Sequence, residues 1–384
     1  MYRTSKVLDL LFNFSITILL IILPQFFIYP LIQENYGDVY FGNFLIYTGI
    51  ILVLYTPYNT AISNSFLRNN GNFISLNIKS YIYGLAIYVM FITPILWFLF
   101  NSYELYVWGG FLGLRISSTA PIRRDTRFDY MFFTYILSFS LSIILLYSSG
   151  ELINPIWSLV FFEFILCVSN LFYIYKNKLF KNLIHSDGGF FDFMTMINLG
   201  VTSNLVTYYD RFVLQIFSMT SMISEFYIIS LMPKLLVTFS TTINGVILSH
   251  LSKEEKLDKI NFFKHLIPVV VILFVGVIFI DLFAPFVVRY IYPNFIWSEY
   301  NKKILYLSSL AFTLLSVEKL IKGAILKFSK NKNLLKFDYI SLFSHILILF
   351  LCFSLYTSLL SLAIALVLSF SFKLVLAILQ IKKI

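Results

Sequence analysis

Charge is what this 384-residue sequence has least of. Asp, Glu, Lys and Arg make up 12% of it and 59% of its residues are hydrophobic, where soluble domains carry about 25% charged residues. A chain so poor in charge cannot cover a water-soluble fold of this size, which leaves a protein that crosses a membrane many times. Cysteine is nearly missing as well. Cys167 and Cys352 both lie in apolar runs, which excludes a disulfide framework and a cysteine metal site. Histidine is sparse and scattered at positions 185, 250, 265 and 345, and acids do not recur at a spacing that would hold a metal. The chain therefore reads as a non-enzyme with no cofactor. No small-residue cleavage site follows the first apolar run, so that run is expected to be kept as a span.

What is there is long apolar segments. A span needs about 20 mostly apolar residues, and twelve can be placed: 7–29, 40–65, 77–100, 104–121, 128–149, 153–175, 191–217, 223–250, 266–289, 303–326, 337–356 and 358–381. The last two have almost no loop between them and are expected to form a tight hairpin. The net charge of +10 might suggest nucleic acid, but the cations fall by loop. Alternate loops hold groups such as Arg123, Arg124 and Arg127, or Lys253, Lys256, Lys259 and Lys264, while the opposite set holds only Arg289, Lys302 and Lys303. That alternation is a topology signal and places both termini in the cytoplasm. Nucleic acid is not expected as a partner. Tyr36, Tyr103, Trp108, Trp157 and Trp297 in the opposite loops suit an interfacial belt. The stretch 253–265 alternates charge with Leu257, Ile260, Phe262 and Phe263, as an interfacial helix or a solvated connector would.

The polar break Lys176–Gly189 divides the spans six and six, giving lobes 1–182 and 183–384. Six spans begin and end on one side, so the halves would share an orientation about an axis along the membrane normal. The expected fold is all-α, about twelve membrane helices in two six-helix lobes, with a site between them.

A few charges interrupt the apolar runs, each costing about 2.5–3.5 kcal/mol at bilayer depth. Arg115 sits near the middle of the fourth span. Asp210 and Arg211 are adjacent in the seventh, so about 100° separates them and their partners must come from elsewhere. Lys234 follows Pro233, whose ring frees a carbonyl and bends the helix. Lys319 and Lys322 lie in the tenth span beside Glu318, and Lys373 in the twelfth. Snorkelling is the expectation for Lys322 and Lys373. Arg115, Arg211, Lys234 and Lys319 are the candidates for binding an anion. Asp210, Glu163 and Asp281 are the candidates for coupling or ion pairing; for Glu163 and Asp281, pairing with Arg115 or Lys234 is favoured over proton coupling. His345 is expected to be a satisfied buried residue.

Several short motifs resemble the Wzx-type lipid-linked oligosaccharide flippases, the polysaccharide branch of the MOP exporter superfamily that also contains the MATE-like proteins. Pro30-Leu31-Ile32 followed by Tyr36-Gly37-Asp38-Val39-Tyr40-Phe41-Gly42 is similar to that family's first loop. Arg123, Arg124, Arg127 and Phe128 resemble its basic fourth loop, and Tyr209-Asp210-Arg211-Phe212-Val213-Leu214 its seventh span. Ala284-Pro285-Phe286 with Tyr292-Pro293-Asn294-Phe295 resembles its ninth. The family's glycine late in the second span is missing around Tyr58–Ser63, and Pro293 stands where glycine is usual. The resemblance implies a MATE-like fold in the bacterial inner membrane. It also implies translocation of undecaprenyl-pyrophosphate-linked repeat units for polysaccharide such as O-antigen, by alternating access past cations. Its partners would be the lipid-linked oligosaccharide, membrane lipids, and a polysaccharide polymerase with chain-length proteins. Two alternatives stay open: a cation-coupled multidrug exporter of the same superfamily, and a polymerase or acyltransferase enzyme. The short outer loop 290–302 speaks against a polymerase.

Overall fold

The computed structural model describes residues 6–68, 78–99, 102–125, 127–149, 154–179, 189–251, 259–329 and 331–383. Among them the chain is helical with no strand. Only structures that satisfy their own backbone hydrogen bonds can cross lipid, and the helix does so locally. The order is α1 (Lys6–Ile22), a π-helical segment Leu23–Ile28, α2 (Tyr29–Leu54), α3 (Thr56–Arg68) and α4 (Ile78–Ile87). A second π segment, Tyr88–Ile92, leads to α5 (Thr93–Leu99), α6 (Tyr103–Arg124), α7 (Phe128–Ser149), α8 (Ile156–Lys176) and α9 (Gly189–Ile216). The chain continues through α10 (Thr220–Leu251), α11 (Lys259–Ile291), α12 (Glu299–Phe328), α13 (Asn331–Leu355) and α14 (Leu359–Lys383).

Each of the twelve expected spans falls on this helical succession, some in two or three pieces. Eight stretches meet both length and hydropathy for crossing a membrane; the first, Leu11–Ser63, covers two expected spans in one run. Its interior turn is at Gly37, whose φ of 79° and ψ of 173° break the helix between spans one and two. A positive φ is accessible to glycine at no steric cost. The first π segment carries a proline, Pro24, at its second position, where it cannot donate to the helical ladder. Between α9 and α10 the chain turns in three residues, with Ser218 at φ 57° and Met219 N donating to Leu214 O. The expected hairpin of the last two spans is present: α13 ends at Leu355, α14 starts at Leu359, and the two helices pack together.

One expectation changes. Residues 252–258 lie outside the described set, but Lys259–His265 form the first turns of the 33-residue helix α11. They run into the span without the break a separate interfacial helix would need. Of the polar break Lys176–Gly189, residues 180–188 also lie outside the described set.

Packing divides the chain into two compact units, Met1–Asn204 and Leu205–Ile384, with the division inside α9. In unit 1, α6 packs on α3 and α8, and α7 on α1 and α8. Close approach depends on small residues, as in membrane helix pairs generally. A Cβ at Gly113 would run into the ring of Tyr55, and one at Gly109 into Tyr88. In unit 2, α12 is the central helix, packed on α10, α11 and α14, and most of it is buried. The outer faces are apolar where lipid would meet them: on α11, Ile278, Phe279, Leu282, Phe283 and Phe286 are exposed.

Candidate functional site

Among the described residues, unit 1 holds one buried ion pair. Arg115 of α6 donates through Nε to Glu163 of α8, and through Nη1 to the Tyr135 hydroxyl of α7 at 3.3 Å. All three side chains are buried. One turn further along α6, the Ser118 hydroxyl accepts from Asn170 Nδ2 at 3.1 Å, so α6 and α8 are tied at two levels. The expected pairing of Glu163 with Arg115 is therefore present. A cavity of about 530 Å³ in the same unit, lined by Val107, Phe111, Trp157 and Phe164 among others, is apolar and offers an anion nothing to bind.

Unit 2 collects most of the charge. Asp210 and Arg211, neighbours on α9, do point to different partners. Asp210 Oδ2 accepts from Lys234 Nζ of α10 at 3.0 Å. Arg211 lies over the Tyr208 ring at 4.9 Å and over the Tyr227 ring at 5.6 Å from the centroid. Lys234 Nζ is 5.7 Å from the same Tyr227 centroid and 5.5 Å from those of Phe226 and Phe312. Two cations thus share one aromatic ring, and one of them, Lys234, also holds the Asp210 carboxylate. Cation–π contact with rings is a strong way to hold a desolvated cation, and guanidinium and ammonium together suit a phosphate.

A second group surrounds α12. Lys322 Nζ pairs with Asp338 of α13 at 2.7 Å, and Lys373 Nζ of α14 with Glu318 at 3.4 Å. The expectation that Lys322 and Lys373 snorkel is overturned, because both are buried, at 9% and 3% exposure. A carboxylate within reach offsets part of the cost that would drive a lysine out to the interface. Lys319 is half-buried beside Glu318, with no carboxylate at ion-pairing distance among the described residues. Asp281 of α11 accepts from the Ser309 hydroxyl at 2.9 Å rather than from a cation. His345 Nδ1 meets Ser369 Oγ, and its ring stacks on Phe370 at 5.3 Å.

Asp338 and Tyr227 were invisible to sequence reasoning as site residues. A signal for Asp338 existed: it and Lys322 stand equally far from Lys330 in the short connection between two antiparallel spans, where paired residues lie at equal depth. For Tyr227, one of 26 tyrosines, there was none.

No family model and no curated relative matches the chain. Among solved structures it is similar to an outward-facing multidrug resistance MATE family transporter of the MOP superfamily, with a TM-score of 0.73 at 14% identity over 98% of this chain and 95% of that one. An inward-facing form superposes with a TM-score of 0.64 at 13% identity over the same shares. The Vibrio cholerae MATE transporter VcmN, as its D35N mutant, gives 0.67 at 12% identity over 99% of this chain and 98% of that one. Likeness of this extent at such low identity is a likeness of fold. The chain is a multi-pass membrane protein with the fold of the MATE transporters of the MOP superfamily.

Proposed function

We propose that this chain is a flippase that moves undecaprenyl-pyrophosphate-linked oligosaccharide repeat units across the bacterial cytoplasmic membrane by alternating access. Both termini are cytoplasmic in this proposal and the working lobes are 1–182 and 183–384. The observation that carries it is the pair of cations at Tyr227, where Arg211 lies over the ring and Lys234 reaches both the ring and Asp210. Two cations gathered at one buried ring have a use if the cargo is anionic. A pyrophosphate supplies several acceptor oxygens for them, while the lipid tail stays in the bilayer. Lys319 adds a further cation beside the Glu318–Lys373 pair, and Arg115 would serve by exchanging Glu163 for phosphate. The transporter fold supports the reading by supplying an architecture that works by alternating access.

The test is substitution of Arg115, Arg211 and Lys234 by Ala, one at a time, with surface glycan measured at matched protein levels. Glycan should fall severely for Arg211→Ala and Lys234→Ala, and normal glycan in all three variants would sink the assignment. A second reading, a cation-coupled multidrug exporter, draws on the structural neighbours and on Asp281, an acid in a span that accepts from the Ser309 hydroxyl. It requires that Asp281→Asn abolish efflux of a cationic dye and leave glycan unchanged.

A further inference from the structure

In unit 2, α11 begins beside the end of α14, and one hydrogen bond ties the two ends together. Lys259, the first residue of α11, donates through Nζ to the main-chain oxygen of Lys382 in the last turn of α14 at 3.1 Å. That carbonyl is among the last four of its helix, which have no partner of their own, and an ammonium there also suits the helix dipole. The bond leaves Lys259 with further N–H donors to offer. Lys264, little more than a turn into α11, and Lys382 itself are exposed. Among the described residues none of the three has a carboxylate at ion-pairing distance. The sequence around them is basic as well: residues 253–264 hold Lys253, Lys256, Lys259 and Lys264 against Glu254, Glu255 and Asp258, and Lys383 follows Lys382. Deeper in the same unit, Lys322 and Lys373 are matched by Asp338 and Glu318. The lysines at the surface are left for a partner from outside.

An exposed apolar stripe runs into the span from each of these ends. On α11, Ile267, Val271 and Ile278 stand three, seven and fourteen residues from Lys264. On α14, Leu379, Val375 and Leu368 stand at the same three separations from Lys382. Steps of three, four and seven keep to one helix face, and all six side chains are about half exposed or more. The Lys259–Lys382 bond puts both lysine-headed ends at one level. Each stripe covers about 21 Å at 1.5 Å per residue, more than the roughly 15 Å of hydrocarbon in one leaflet. Any exposed apolar face in a membrane meets lipid. What selects the lipid is the charge at its head.

We propose that this end of unit 2 is a seat for an anionic diacyl phospholipid. Its phosphate lies among the Lys259, Lys264 and Lys382 ammonium groups, and one acyl chain runs along each stripe. Two stripes fit a lipid with two chains better than a single polyprenyl tail, which separates this seat from the proposed cargo. Clustered lysines at the membrane surface hold anionic headgroups in general, each adding about fivefold in affinity. The bound lipid bridges α11 to α14 and so reinforces the bond between Lys259 and Lys382. The seat does not depend on what the protein transports.

The test is native mass spectrometry of the full-length protein in detergent, titrated with phosphatidylglycerol or with phosphatidylcholine of the same chains. The wild type should hold its first phosphatidylglycerol about tenfold more tightly or better. Changing Lys259, Lys264 and Lys382 together to Gln should make the two lipids nearly equal, and changing the same three to Arg should keep the preference. Lys176→Gln with Lys178→Gln, which removes exposed lysines from unit 1, should also keep it. Glycerol phosphate, an anionic headgroup without chains, should not displace the lipid at equal concentration. A preference that survives the change to Gln, vanishes in the Arg variant, or falls as far in the unit 1 variant overturns the seat. Displacement by glycerol phosphate reduces it to a site for free phosphate and overturns the part given to the chains. Tighter binding of undecaprenyl phosphate than of phosphatidylglycerol, lost on the change to Gln, hands the site to the cargo lipid and overturns the phospholipid.

Discussion

Arg115 shows how a cation is kept at bilayer depth. Its guanidinium, tied to Glu163 and Tyr135, bridges α6, α7 and α8, so the charge is neutralised where it sits. Removing one partner of a buried pair costs about 3–5 kcal/mol, whereas replacing both with apolar groups is often neutral. Glu163→Gln should therefore lower the thermal midpoint of the purified protein clearly, and Arg115→Met with Glu163→Met should recover most of it. Equal losses in the single and double variants would show that the pair adds nothing through its partnership. Lys373 and Glu318 make the same point from the other side. At 3% and 0% exposure these are core residues, even though a lysine in the last third of a span is placed where snorkelling is the usual outcome. Sequence position cannot decide between the two because the deciding carboxylate is on another helix.

The helices themselves were the legible part, and their partners were not. Backbone satisfaction in lipid makes a long apolar run a helix, so all twelve spans could be located before their packing was known. Gly37 stands out because only a residue without Cβ turns the chain cheaply at φ 79°. By contrast, Tyr55 against Gly113 follows from which helix faces which, and no local pattern carries that. The split of Asp210 from Arg211 was readable, since adjacent residues on a helix diverge by about 100°, yet the shared Tyr227 ring was not. Helix α12, the centre of unit 2, starts at a cap: Ser298 Oγ accepts from Asn301 N at 3.1 Å. Ser298→Ala should cost about 1 kcal/mol. It should speed hydrogen exchange in the first turn of α12 while leaving exchange around Glu318 as it was. Exchange raised along the whole helix would show that the cap sustains more than its own turn.

At the scale of the molecule, the fold is that of MATE transporters, and the two units treat charge differently. Unit 1 closes its buried pair with a tyrosine, while unit 2 gathers two cations at the Tyr227 ring. The proposal that the cargo is an anionic lipid rests on that gathering. It is tested most directly by reconstituting the protein in liposomes that carry a fluorescent undecaprenyl-pyrophosphate-linked oligosaccharide, with quenching of the outer leaflet by a membrane-impermeant reductant. The account predicts that the protein makes the protected inner-leaflet pool accessible, and that Arg211→Ala and Lys234→Ala each slow this severely. A protected pool that stays as large as in protein-free liposomes, while the same vesicles move a cationic dye, would contradict it.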